Sequence, residues 1–281
     1  MSKRHIDNVF GDWYIDTKCM DCSASRTIAP ELIVSKGGQS VFSRQPETAE
    51  EVLMAWRARL LCPTASVRTE SNSAPPVGVF PQQMTEGVCR LGYNARSSYG
   101  AHSFLIRRPD GNAMVDAPRW TKHVVTALEE LGGLAHILLS HKDDVADADQ
   151  YASHFQARIS IHEADRSAAP YADHILEGRE RIRLYDDLLA IPIPGHTKGS
   201  VAYLWANRCL FTGDSLAWSF SDDDLTAYRD FCWYSWAEQR KSLTRLLDYD
   251  FEWVLAGHGG SHGATAEEMK KRLRALVERM A

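Results

Sequence analysis

The stretch from Leu188 to Trp218, LLAIPIPGHTKGSVAYLWANRCLFTGDSLAW, decides how the chain is read. Two apolar runs, Leu188 to Ile193 and Val201 to Trp205, have strand length, and the Pro194-Gly195 pair between them turns the backbone and sets His196 at the exit of the first. A third run, Cys209 to Thr212, ends at Gly213-Asp214. His196 and Asp214 therefore sit just beyond strand ends, where a sheet can aim side chains into one crevice. Alone, either would be read as a solvated or capping group; the pair, in this order and with these glycines, points to a shared site.

Downstream, a helix from about Ala237 to Leu247 leads to the strand Trp253 to Leu255 and the turn Ala256-Gly-His258-Gly-Gly260, so His258 also falls past a strand end. Thr265 to Met280 reads as an amphipathic helix, with Met269, Leu273, Leu276 and Val277 inward. Upstream, Arg90 to Tyr93 and Ser103 to Arg107 read as strands. Asp110-Gly111-Asn112 is then a hairpin turn into Ala113 to Val115, which ends at Asp116. A helix from about Thr121 to Leu131 precedes the strand His136 to Ser140. That strand runs into His141-Lys-Asp143-Asp144-Val-Ala-Asp147 before a helix from about Asp147 to Phe155, and Arg158 to His162 follows as a strand. The alternation predicts an α/β fold over residues 88–281.

The PGHTKGS turn, the following Gly213-Asp214 and the Gly-His258-Gly turn resemble the metallo-β-lactamase fold family. The resemblance implies an αββα sandwich in which His196 and His258 ligate metal and the Asp214 carboxylate bridges two ions. His141 matches the first residue of the family's H-x-H-x-D-H motif. Asp143 stands where the second His belongs, and Val145 and Ala146 occupy the remaining ligand positions. Asp144 and Asp147 lie close enough to act as reserve ligands; capping the next helix is the commoner task for Asp at such a place.

A divalent metal held by His141, Asp143, His196, Asp214 and His258 would lower the pKa of bound water to about 7 and supply hydroxide at neutral pH. The family resemblance then implies a hydrolase of the glyoxalase II and lactamase type acting on an ester, thioester or lactone, with Asp143 and Asp214 as catalytic carboxylates. One or two ions are expected, zinc, iron or manganese, and a carboxylate in place of an imidazole hardens the site toward iron or manganese. Flavodiiron proteins, one arm of the family, carry a carboxylate at that position. An iron-dependent redox or sensor protein is therefore the alternative, and a non-catalytic binding module a third.

The N-terminal segment has its own logic. Trp13 to Asp16 reads as a strand, the Gly37-Gly38 pair as the centre of a strand-turn-strand, and Thr48 to Leu61 as a helix with Thr48 as N-cap and Glu51 as its capping-box partner. Cys19 and Cys22 lie three apart in a loop, and Cys62-Pro63 follows the helix; thiolates brought together in this way suit iron–sulfur ligation. The layout resembles a small α+β single-cluster ferredoxin domain, here residues 1–70, with Ser25 in place of its third cysteine. It leaves open a cluster on Cys19, Cys22 and Cys62, a different metal, or a relic kept for packing. Residues 71–87, rich in Ser, Pro and Gly, are expected to be a linker.

Composition narrows the rest. The 281 residues are 44% apolar and 25% charged with a formal charge of −5, which gives no broad basic surface for nucleic acid or anionic lipid. The start lacks a continuous apolar signal core, and no run of about 18 uncharged apolar residues occurs. A cytoplasmic protein with a small-molecule substrate is expected, and a redox partner protein if the cysteine domain carries electrons.

Overall fold

The computed structural model describes residues 3–71 and 73–280. Strand pairing in the C-terminal part builds two sheets. The first orders the strands His174–Leu176, Arg158–His162, His136–Leu138, Ala113–Val115, Phe104–Ile106, Val88–Arg90 and Gln82–Thr85; the second orders Ile182–Tyr185, Leu188–Pro192, Val201–Trp205, Cys209–Gly213, Trp253–Ala256 and His262–Gly263. Both mix parallel and antiparallel pairs: Ala113–Val115 runs parallel to His136–Leu138, and Cys209–Gly213 parallel to Trp253–Ala256.

Period-two alternation decides what each strand buries. Ala113 and Val115 face inward with Phe104, Leu138, Tyr203, Phe211 and Leu255, forming the layer between the sheets. Met114 points the other way, to Val124 and Leu128 of the helix Lys122–Glu130 and Tyr151 of the helix Ala148–Phe155. On the opposite outer face, Leu204, Leu210 and Val254 pack under Leu243 of the helix Trp236–Arg245 and Met269 and Leu273 of the helix Ala266–Arg279. Helix, sheet, sheet, helix is the expected αββα sandwich.

The N-terminal residues form a small α+β unit with its own core of Trp13, Ile15, Leu32, Phe42, Trp56 and Leu61. Trp13–Ile15 pairs antiparallel with Val67–Thr69, and Ile33–Lys36 with Gln39–Phe42. The helix Ala49–Leu61 starts in the expected capping box: the Glu51 N–H donates to Thr48 Oγ1 at 3.2 Å, and the Thr48 N–H donates to Glu51 Oε2 at 3.2 Å.

Two expectations need correction. Residues 82–85, read as linker, form the edge strand Gln82–Thr85 against Val88–Arg90; one-sided pairing lets polar Gln and Thr fill a strand that shows no apolar alternation. The strand read as Arg90 to Tyr93 is Val88–Arg90, because Gly92 and Tyr93 take left-handed backbone, φ 71° and 52°. No helix among the described residues is long and apolar enough to cross a membrane.

Candidate metal centre

Four strand exits on one rim carry the site. His136–Leu138 leads to His141, Asp143 and Asp144; Leu188–Pro192 to His196; Cys209–Gly213 to Asp214; Trp253–Ala256 to His258. The rims of the two sheets are tied where the Val201 N–H donates to Ser140 O at 2.7 Å. Gly213, at φ 48°, lets the first and third exits close: a Cβ there would lie 2.5 Å from Ser140 Oγ.

The rings of His141 and His196 stand perpendicular, with centroids 4.7 Å apart. Both Nε2 atoms point at one carboxylate oxygen, Asp214 Oδ2, each 3.7 Å away, and Asp143 Oδ2 lies 3.9 Å from His141 Nε2 and 3.5 Å from His196 Nε2. His258 Nδ1 is 2.9 Å from both oxygens of the Asp214 carboxylate. Ligand atoms of His141, His196 and Asp214 fall within 4.8 Å of one another, as do those of Asp144, Asp214 and His258. Two adjacent triads thus share Asp214.

The donor set fits a divalent cation. His141 Nε2, His196 Nε2 and both oxygens of Asp144 are buried with no hydrogen-bond partner. Buried polar atoms are rarely left unpaired, and a buried carboxylate without a countercharge is costly. Burial, followed by the charges of Asp214, Asp116 and Asp143, drives the Asp144 carboxyl well above its ordinary range. Burial also pushes the His141 imidazole down to about 4, leaving it neutral with a free lone pair, the form a metal takes. Asp214 is held low despite its burial, chiefly by the charge and hydrogen bond of His258.

Outer contacts fix these groups. His141 Nδ1 meets Ser140 Oγ at 2.9 Å, and Ser140 donates through both N–H and Oγ to Asp116, at 2.7 and 2.8 Å. Asp165 braces two ligand loops, accepting from Lys142 N at 3.0 Å, Gly199 N at 3.1 Å and Thr197 Oγ1 at 2.5 Å. Such second partners orient ligands and tune their basicity.

The structure therefore brings together His141, Asp143, Asp144, His196, Asp214 and His258. Asp147 is the exception: its Oδ2 accepts from the Trp120 N–H at 2.6 Å, which ties the start of its helix to the preceding loop and keeps it out of the cluster. Asp144, one of two reserve ligands in the sequence reading, takes the buried position. His262 stacks on Trp218 with ring centroids 3.7 Å apart. Sequence reasoning missed Asp165, which joins only residues remote along the chain, and His102, buried between Asn94 and Thr27.

In the N-terminal unit, Cys19, Cys22 and Cys62 are free thiols. Burial pushes the Cys22 thiol up to about 12, and the charges of Cys62 and Cys19 add to the rise. Cys62 Sγ accepts from the Ser66 N–H at 3.3 Å, a contact suited to a thiolate, and Ser25 lies buried in the helix Ala24–Ile28. Loop 94–102 joins this unit to the rim. Tyr99 Oη donates to Met20 O at 2.6 Å, Tyr99 O lies 3.3 Å from His258 Nε2, and the His102 N–H donates to Gly257 O at 2.8 Å.

A four-layer αββα sandwich with a histidine and aspartate cluster on its rim defines a class of metal-dependent proteins. Residues 90–280 match the family described as the metallo-beta-lactamase superfamily, and residues 15–69 match the 4Fe-4S single cluster domain of Ferredoxin I. The chain belongs to the metallo-beta-lactamase superfamily, whose members are mostly hydrolases and usually bind zinc or other divalent metals, and it carries a ferredoxin-type domain near its N-terminus.

Among curated proteins it is 34% identical over 119 residues to a hydroxyacylglutathione hydrolase of Acidiphilium cryptum, covering 41% of this chain and 49% of that one. It is 27% identical over 218 residues to the uncharacterized protein YobT of Bacillus subtilis, covering 62% and 90%. The chain thus spans about half the length of the hydrolase it matches. Among solved structures, a metallo-beta-lactamase from Hirschia baltica superposes with TM-score 0.54 at 16% identity, covering 70% of this chain and 96% of that one. FIM-1 of Pseudomonas aeruginosa, in its mono-zinc form, gives 0.54 at 16%, covering 70% and 94%.

Proposed function

We propose that the chain is a metal-dependent hydrolase of an ester, thioester or lactone, of the glyoxalase II and lactamase type. The observation that carries this reading is the set of buried, unpartnered ligand atoms on His141, His196 and Asp144 converging around Asp214. A divalent cation bound there supplies Lewis acidity and lowers the pKa of water. Partial similarity to hydroxyacylglutathione hydrolases supports the acyl-transfer chemistry.

The chain's own residues then have distinct tasks. His141 and His196 offer their imidazole Nε2 atoms from perpendicular directions, and Asp214 binds between the two triads. Asp143, partly exposed, is held below the ordinary carboxylate range by the neighbouring imidazoles of His196, 3.5 Å away, and His141. It stays ionised at neutral pH, so its Oδ2 can accept a hydrogen bond from the attacking water and orient it. Asp144 and His258 complete the second triad, and Asp116 through Ser140 keeps His141 turned inward. The ferredoxin-type domain is an accessory that holds Tyr99 and, through it, His258; Cys19, Cys22 and Cys62 are its ligands for an iron–sulfur cluster.

The test is turnover of a thioester and a lactone by protein loaded with zinc, manganese or iron. Activity that disappears with chelator, returns with metal and is lost in His196→Ala is expected. Metal-loaded protein that turns over none of these substrates would overturn the reading.

A further inference from the structure

Large exposed rings are unusual on a soluble surface, and a contiguous set marks a binding site. Here they follow the metal rim. Trp233 is 61% exposed, and its ring lies 6.3 Å from that of His196; Phe231, 57% exposed, meets Trp233 edge-on at 6.2 Å and Tyr228 at 6.4 Å. Tyr228 leans over Gly259, where a Cβ would come within 2.9 Å of its phenol oxygen, so the arc reaches the turn that carries His258. Tyr99, 51% exposed, closes it with its ring 6.4 Å from that of His258.

The arc is anchored to the ligands. The Trp233 and Tyr234 N–H groups both donate to His196 O, at 2.9 and 3.0 Å, and the Ser235 N–H donates to Gly195 O at 3.0 Å. Any molecule whose reacting carbon sits between His196 and Asp214 has these rings beside it. Arg229 turns away, lining a separate cavity of about 520 Å³ with Trp236, Arg240 and Lys241.

We propose that Trp233, Phe231 and Tyr228 form the acyl-binding wall of the site, and that the substrate is a neutral thioester or ester with a large apolar acyl group, an alkyl chain of medium length or an aromatic ring. The proposal rests on the hydrolase reading for the reacting bond but not for the binding wall. Apolar ligand sites are built this way, with aromatic surface for affinity and few polar groups for orientation. Each methylene buried against the wall raises kcat/KM by up to about fourfold.

The experiment compares acetyl and octanoyl thioesters of N-acetylcysteamine, both uncharged, on metal-loaded protein. Preference for octanoyl in kcat/KM by at least about thirtyfold is expected, well inside the limit set by burying six methylenes. Trp233→Ala and Phe231→Ala should each reduce that preference several-fold, because each loses more kcat/KM on the octanoyl than on the acetyl thioester, whose acyl group is too short to reach along the wall. Octanamide, a neutral probe that cannot be hydrolysed as a thioester, should alter tryptophan emission in wild-type protein and not in Trp233→Phe.

Equal rates for the two thioesters, or a preference unchanged by both alanine variants, would overturn the proposal. So would a dimer that dissociates in Trp233→Ala together with no octanamide response, because the rings would then belong to an interface between copies. If no thioester is turned over yet octanamide still changes Trp233 emission, the hydrolase reading fails and the apolar wall stands.

Discussion

The Nδ1 of His258 lies 2.9 Å from Oδ1 and 2.9 Å from Oδ2 of Asp214. Oδ2 of the same carboxylate also lies 3.7 Å from the Nε2 atoms of both His141 and His196. One side chain therefore stands between both triads, and its charge organises three imidazoles at once. Asp214→Asn keeps the shape and removes the charge. Metal affinity at both positions is expected to fall by about 100-fold or more, since even outer-shell changes cost 10–100-fold. Metal analysis after gel filtration checks this, with circular dichroism showing that the fold survives.

Gly257 lies against the second triad. A Cβ there would lie 2.8 Å from Asp214 Oδ1 and 2.9 Å from Asp144 Oδ2, closer than real contacts allow. Gly257→Ala should therefore displace both carboxylates. Equilibrium titration with zinc is expected to show the second-ion affinity reduced by about tenfold or more while the first, on His141 and His196, is less affected.

Burial holds His141 neutral in the metal-free protein, with its pKa lowered from 6.5 to about 4. Above pH 6.5 the imidazole is neutral folded and unfolded, and contributes no pH dependence. Between pH 6.5 and 4 the unfolded chain takes a proton that the folded one refuses, so stability falls as pH falls, by roughly 3 kcal/mol in full. Urea midpoints of metal-free wild-type and His141→Gln protein between pH 7 and 4 should show a steeper decline for wild type.

Tyr99 links the cysteine loop to the rim through its phenol on Met20 O and its carbonyl near His258 Nε2. Tyr99→Phe removes one hydrogen bond from a half-exposed side chain and is expected to cost about 1 kcal/mol or less. Limited proteolysis should cut faster within residues 15–69, and zinc affinity at the His258 triad should drop modestly. Unchanged cleavage and unchanged affinity would show that the loop carries no coupling.

Much of this site was readable along the chain because His141, His196, Asp214 and His258 sit one to four residues past short strands, and the last three each directly follow a glycine. The choice between Asp144 and Asp147 was not readable. Ala146 takes φ 40°, a backbone bend that alanine gives no reason to expect, and it separates a carboxylate in the cluster from one bonded to Trp120. Gln82–Thr85 was hidden because an edge strand needs no apolar alternation. Asp165, His102 and Tyr99 act through contacts with residues far along the chain, which no local spacing reveals.

The proposed function requires that the rim hold a cation. Chelator-stripped protein titrated with cobalt, followed by its visible bands and by imidazole proton resonances, tests it most directly. Saturable uptake of one to two equivalents, perturbing the resonances of His141, His196 and His258, is the predicted result. No saturable uptake, with all three imidazoles unmoved, would contradict it.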